Sequence, residues 1–207
     1  SRSKHDKNKL VFETLAGLIH VEVSCSGDQT KISMTQPKPK FGLKIEKKVL
    51  SQIGGIPENS ILCKPQVVST GLPFPIVLVD TLETLQKVTI DYQALDKFRA
   101  TSSENDLMEP FWVCLSSPRE NGITFSRLLL QSAGRNEDPF TGSATGAMAA
   151  YLWDNGLIQE PTFTAHQGDF LGRPGEAEVE VLGRLGNISG VKVTGSAYIL
   201  MTGKLKI

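Results

Sequence analysis

The 207-residue sequence predicts an α+β fold, a roll or partial barrel of mostly antiparallel strands wrapped around one buried helix. Three observations carry this expectation. The stretch Ser143–Asp154 is apolar around its whole circumference, as a helix inside a fold must be. Many short segments elsewhere alternate apolar and polar residues with period two and are separated by Gly-rich turns. Amphipathic helical periodicity is confined to a few short segments.

The central helix is marked at both ends. Asn136-Glu137-Asp138-Pro139-Phe140 precedes it, and proline cannot continue a helix interior. Thr141 or Ser143 supplies the N-cap. Asp154-Asn155-Gly156 closes it, with Gly156 as the stop. Ala144, Ala147, Met148, Ala149, Ala150, Tyr151, Leu152 and Trp153 surround the axis, and the small residues let neighbouring backbone approach. The helix is shorter than the roughly 20 residues a bilayer requires. Its free N–H groups near Thr141, Gly142, Ser143 and Ala144 carry partial positive charge and suit a carboxylate or phosphate. Asp138 stands beside them, able to take or give a proton or to orient a donor. On spacing alone a second reading stays open, in which Thr141, Ser143 and Asp138 only cap a buried helix.

In chain order, Leu10–Thr14 and Leu18–Ser24 read as strands around an Ala16-Gly17 turn, and Lys31–Thr35 as a third strand after Gly27-Asp28-Gln29. Gln36-Pro37-Lys38-Pro39-Lys40 reads as an extended connector and a lobe boundary. This divides the chain into 1–40, a leader plus strands of a first lobe, and 41–207, a second lobe with the central helix, whose last strand returns to the first. Ile45–Ile53 is an amphipathic helix stopped by Gly54-Gly55. Ser60–Ser69 and Phe74–Val79 are strands, Thr81–Lys87 a helical turn, and Asp91–Ala100 a helix capped by Asp91 with Leu95 and Phe98 inward. Ser102–Glu109 is a polar loop. Phe111–Leu115 and Ile123–Leu130 flank a turn at Pro118–Gly122. Strands follow near Thr162–Gln167, Ala177–Leu182, Ser189–Val193, Ala197–Met201 and Lys204–Ile207.

Composition narrows the function classes. Lys+Arg and Asp+Glu both total 22, so no basic field points to nucleic acid or to an anionic membrane. Hydrophobic content of 40% with 21% charged residues is ordinary for a globular chain. The three cysteines, Cys25, Cys63 and Cys114, are far apart, form no zinc pattern and read as reduced thiols of a cytoplasmic protein. No segment reads as a signal peptide or membrane span. Ser1–Lys9 is a polar leader.

Several motifs converge on one family. The block Glu137-Asp138-Pro139-Phe140-Thr141-Gly142-Ser143-Ala144 with its Ala-rich helix resembles the signature of the PhzF-like phenazine-biosynthesis family, which shares the diaminopimelate epimerase fold. Leu10–Gly17, Ser69-Thr70-Gly71-Leu72-Pro73-Phe74, His166-Gln167-Gly168, Gly172-Arg173-Pro174-Gly175 and Val193–Ala197 match in order, over nearly the whole chain. The resemblance implies a diaminopimelate epimerase-like roll of two lobes with the site between two helix N-termini. It implies a cofactor-independent, metal-free isomerase moving a proton on a small cyclic amino-carboxylate such as trans-2,3-dihydro-3-hydroxyanthranilate, and a homodimer. Carried onto this chain, Asp138 and Ser143 are the catalytic residues. Asp138 bonds the substrate's amino or hydroxyl group and Ser143 contacts the reacting region. Thr141, Gly142, Ser143, Ala144 and Gly168 form the substrate-binding set, with the Gly142 and Ser143 N–H groups on the carboxylate. Thr145 departs from the histidine frequent at its place. The family's Asn-Leu-Ser-Glu-Thr-like stretch with the general-base glutamate, and its Gly-His-Pro-Thr motif, have no counterpart here. The chain therefore resembles the C-terminal two thirds of such a protein, expected to work with the N-terminal lobe or an equivalent chain. The other function class is a non-catalytic binding protein that keeps only the helix-tip carboxylate site.

Competing motifs are weaker. Thr141 stands where the epimerases place a cysteine before Gly-Ser and is a far weaker acid than a thiol. Gly142-Ser143-Ala144-Thr145-Gly146 is not a Gly-x-Ser-x-Gly elbow, and Gly168, Gly172 and Gly175 precede no Gly-Lys-Ser/Thr. Thr194-Gly195-Ser196-Ala197 reads as a bulge or turn, His166 as a structural strand residue, and Arg173-Pro174-Gly175 as a surface hairpin turn.

Overall fold

The computed structural model describes residues 7–14, 17–26, 29–103, 106–132, 135–198 and 200–204. Within them run β1 (Lys7–Thr14), β2 (Gly17–Ser26), β3 (Gln29–Gln36), β4 (Lys40–Lys44), α1 (Lys47–Gly54), β5 (Gln66–Ser69), β6 (Pro73–Val79), α2 (Leu82–Lys87), α3 (Tyr92–Thr101), β7 (Phe111–Cys114), β8 (Thr124–Ser132), β9 (Arg135–Asp138), α4 (Gly142–Asp154), β10 (Thr162–Gln167), β11 (Gly175–Arg184) and β12 (Asn187–Ala197). Short 3-10 turns lie at Glu58–Ser60 and Asp169–Leu171. The result is an α+β fold, twelve strands in one mixed sheet ordered β1-β2-β3-β12-β11-β10-β8-β7-β6-β5-β4, with β9 added on β8. Among the described residues only β6 with β7 and β8 with β10 pair in parallel.

The reason the strands near the middle read as apolar runs is that helices cover both their faces. β6 alternates between two cores. Ile76 and Leu78 join the cluster around α4, with Phe111, Val113, Val179, Val191 and the helix's own Ala147, Met148 and Tyr151. Val77 and Val79 face the other way, into a cluster built by Leu50 and Ile53 of α1, Leu85 of α2 and Leu95 of α3 around Trp112. α4 is buried at every position from Ala144 to Leu152 and packs against β5, β6, β7, β11 and β12. A helix enclosed in this way has no face to spare for polar residues, as its sequence shows.

Side-chain caps start two of the remaining helices. The Asp91 carboxylate accepts from the N–H groups of Gln93 and Ala94 and starts α3. The Thr81 hydroxyl accepts from Thr84 N–H and starts α2, each worth about 1 kcal/mol.

Several expectations need correction. Ser60–Ser69 is not one strand. Only Gln66–Ser69 pairs regularly, with an isolated bridge from Ile61 to Val79. Pro65 has no N–H to continue a ladder. β4 forms at Lys40–Lys44, where the sequence pattern marks only the end of the connector at Lys40, and β9 at Arg135–Asp138, where it marks no element. Ser189–Val193 and Ala197–Met201 are not two strands. β12 runs unbroken to Ala197, and Thr194, Gly195, Ser196 and Ala197 pair in register with Ser33, Ile32, Lys31 and Thr30. The expected bulge there is absent because β3 supplies partners throughout, and the Thr194 and Ser33 hydroxyls bond at 2.8 Å. The turn residues Ala16, Gly27 and Asp28, the leader 1–6 and the last strand's residues 205–207 lie outside the described residues.

At one end of the sheet, Leu10, Val11 and Phe12 are each about half exposed. Successive strand residues point to opposite faces, so β1 is uncovered on both. No helix among the described residues is long and apolar enough to cross a membrane.

Candidate functional site

The start of α4 is held by a short strand and a turn. β9 pairs antiparallel with β8, placing Asp138 opposite Leu128. Its anchor is an ion pair on the same two strands. Arg127 Nε and Nη2 donate to the two Glu137 carboxylate oxygens at 3.0 and 2.7 Å. Pro139 and Phe140 then carry the chain to Thr141, whose backbone is not yet helical (φ −112°, ψ 88°).

Thr141 is the N-cap by position, yet its side chain does not cap. Its hydroxyl donates to Asp138 Oδ2 at 2.7 Å. Among the described residues nothing accepts from the first-turn N–H groups of Gly142, Ser143 and Ala144, nor bonds the Ser143 hydroxyl or Asp138 Oδ1. Gly142 and Ser143 are half-buried, and a Cβ built on Gly142 meets no atom within 4 Å. The polarised helix tip is therefore open beside Gly142, where the half-buried Gly142 and Ser143 have N–H groups with no acceptor among the described residues. This arrangement suits a small molecule that offers an acid group to the tip and a donor to Asp138.

The candidate residues divide by role. Asp138, Thr141, Gly142 and Ser143 come together at the tip. Ala144 is wholly buried against the core and does not reach the surface at the tip. Gly168 lies behind the turn, buried at φ +91° between the carbonyls of Pro139 and Arg173. Arg173 is exposed, and its N–H closes the loop onto Gly168 O at 3.1 Å.

Sequence reasoning missed the polar groups beneath the tip. Gln167 Oε1 accepts from Thr141 N–H at 3.0 Å, and its Nε2 donates to Asp138 O at 2.7 Å and Thr141 Oγ1 at 3.3 Å. Gln36 Nε2 donates to Gly142 O at 2.8 Å, while Gln36 Oε1 accepts from Thr70 Oγ1 at 2.5 Å. The Thr145 hydroxyl bonds back to Thr141 O at 2.8 Å. A signal for Gln167 was present. Alternation along Thr162–Gln167 puts it on the same face as Phe163 and Ala165, so it is a buried polar residue that needs partners.

Gly146 makes room for Gln36. A Cβ there would stand 1.8 Å from Gln36 Oε1. Gly→Ala inside a helix ordinarily gains about 1 kcal/mol. Here Gly146→Ala is expected to lose about 1–3 kcal/mol instead, because it drives the amide off Gly142 and Thr70. Chemical denaturation checks the sign; a stabilised variant would show that Gln36 is free to move aside.

On the other face of β10, His166 is almost wholly buried and lines a polar cavity of about 230 Å³ with Lys31, Glu120, Thr164, Glu176 and Thr194. Its Nδ1 lies 2.6 Å from Ser117 Oγ. Burial first, then the Arg119 guanidinium, hold its pKa below the ordinary imidazole value, while Glu176 and Asp169 pull the other way. Below about pH 6.5 the unfolded chain takes up this proton before the folded one does. The stability His166 confers is thus full above that pH and falls as pH drops towards the lowered folded value. Equilibrium unfolding between pH 5 and 8 is expected to show this decline in the native protein and a shallower one in His166→Gln; equal slopes would remove His166 as the source.

Comparison with known proteins points to one family. The family model PhzC-PhzF, phenazine biosynthesis-like protein, matches residues 1–203. An uncharacterized isomerase of Clostridium acetobutylicum is 31% identical over 97% of this chain and 68% of its own length. The uncharacterized isomerase YfhB of Bacillus subtilis is 28% identical over 95% of this chain and 67% of its own. Among solved structures, a PhzF-family phenazine biosynthesis protein of Bacillus anthracis superposes with a TM-score of 0.73 at 22% identity, covering 94% of this chain and 70% of that one. A predicted epimerase of Pseudomonas aeruginosa gives 0.71 at 26% identity, covering 97% and 70%. The chain spans about two thirds of the length of these relatives.

Proposed function

The chain belongs to the phenazine biosynthesis-like PhzC-PhzF family, and from that premise we propose that it is an isomerase shifting a proton between carbons of a small cyclic amino-carboxylate, of the trans-2,3-dihydro-3-hydroxyanthranilate kind. The observation that carries the reading is the open, uncapped start of α4 beside Asp138. In this reading the N–H groups of Gly142 and Ser143 hold the substrate carboxylate. Asp138 takes a hydrogen bond from the neighbouring amino or hydroxyl group, and Ser143 lies against the reacting carbons. Fixed dipoles of this type stabilise charge as it develops, without metal or organic cofactor.

The diaminopimelate epimerase-like roll, with 1–40 in one lobe and 41–207 in the other, belongs to the same proposal. So does a general-base glutamate supplied by the lobe that the relatives' further length represents. The uncovered residues Leu10, Val11 and Phe12 support an apolar partner surface there.

The test is solvent deuterium entering the substrate's ring carbon. It is expected when the glutamate-bearing lobe is present, fused or added. Asp138→Asn should then slow exchange about 100-fold with the melting temperature nearly unchanged. Gly142→Ala, which meets open space, should fold normally and raise KM. No exchange in the completed protein, or equal loss of folding and exchange in Asp138→Asn, overturns the reading.

A further inference from the structure

We propose that Gln167 is a positioning residue, aiming Asp138 through the Thr141 hydroxyl. The inference rests on the reading of the α4 tip as the acid-binding half of the site.

The argument is one of hydrogen-bond polarity. Thr141 N–H can only donate and Asp138 O can only accept. Gln167 meets both, at 3.0 and 2.7 Å, so its amide has a single permitted orientation, carbonyl oxygen towards Thr141 N and NH2 towards Asp138 O. The same NH2 reaches Thr141 Oγ1 at 3.3 Å. That contact makes the hydroxyl an acceptor on one side, and its own hydrogen is left for Asp138 Oδ2 at 2.7 Å. A directed chain results, from Gln167 through Thr141 to Asp138. It occupies Oδ2 and leaves Oδ1 for a ligand. Gln167 is wholly buried, at the end of a strand held on both sides by β8 and β11. The reference point for the chain is therefore the sheet rather than the mobile end of a surface side chain.

Two variants separate the parts. Gln167→Met keeps the shape and removes all three bonds. Thr141→Val removes only the hydroxyl and keeps the N–H bonded to Gln167. Anthranilate is the probe, titrated against the protein while the Gly142 and Ser143 amide signals are followed by NMR. Each single variant is expected to weaken binding about tenfold. The double variant should weaken it about tenfold as well, because both act on one chain. Hydrogen exchange at the Thr141 amide should also rise about tenfold in Gln167→Met, with other sheet amides unchanged. A hundredfold, additive loss in the double variant overturns the relay, as does unchanged Thr141 exchange in Gln167→Met. If anthranilate shifts neither tip amide in the native protein, the acid-binding reading falls, and the exchange result decides the role of Gln167 by itself.

Discussion

Replacing Arg127 by alanine is expected to cost about 3–5 kcal/mol of stability, a large share of the roughly 5–15 kcal/mol a domain has. The guanidinium makes two sets of bonds at once. One side holds the Glu137 carboxylate in a bidentate pair, with the two side chains only 11% and 6% exposed. The other side, through Nη1, donates to the carbonyls of Leu85, Gln86 and Val88 at 2.9, 3.0 and 3.3 Å, the C-terminal end of α2. The ring of Phe170 stacks below at 5.6 Å. Truncation leaves a buried carboxylate without its cation and removes the guanidinium donor from the carbonyls of Gln86 and Val88, while Leu85 O keeps only the 3.4 Å bond from Val88 N–H. β9 then loses its anchor on β8, and Asp138 is the next residue on that strand. Arg127→Lys should recover only part, since an ammonium cannot satisfy a planar carboxylate and a helix end together. Denaturant unfolding measures the loss; a change below about 1 kcal/mol would mean that water replaces the pair freely.

Gly168→Ala is expected to lose about 3 kcal/mol. Part is conformational, because φ +91° costs an L residue about 1–2 kcal/mol. The rest is steric. The new Cβ would stand 2.3 Å from Arg173 O and 2.5 Å from Pro139 O, and backbone atoms cannot swing away as a side chain can. Gly172, in the same loop at φ +64°, would place its Cβ in open space. Gly172→Ala therefore isolates the conformational part, and should cost only about 1 kcal/mol. Equal losses for the two variants would show that the loop relaxes away from the clash. The comparison also bears on the site, since moving Pro139 shifts Asp138 and Thr141 relative to the α4 tip.

Much of the fold was legible because its determinants are local. The apolar circumference of Ser143–Asp154 could belong only to an enclosed helix, and α4 proved buried from Ala144 to Leu152. The Asp91 and Thr81 caps and the alternation along Thr162–Gln167 likewise need no knowledge of distant residues. β9 and β4 were not legible. At four and five residues they carry too few alternations to stand out, and each exists because a neighbouring strand offers its edge. The Thr194–Ala197 string misled for the same reason. Glycine beside threonine and serine is ordinary turn chemistry, but β3 lies alongside and holds those four residues extended.

The division falls in the same place at the site. The chain's own order of residues determined the buried helix, the turn before it and the identity of the groups at its tip, since helix burial and helix-end polarity follow from neighbours along the backbone. Only the tertiary structure decided that Thr141 turns its hydroxyl to Asp138 instead of capping, and that Gln167 and Gln36 grip the first turn from β10 and β3. Hydrogen-bond direction in a buried network depends on which obligate donors and acceptors are brought within 3 Å. That pairing is set by sheet order, over separations of 26 and 106 residues, and no local pattern encodes it.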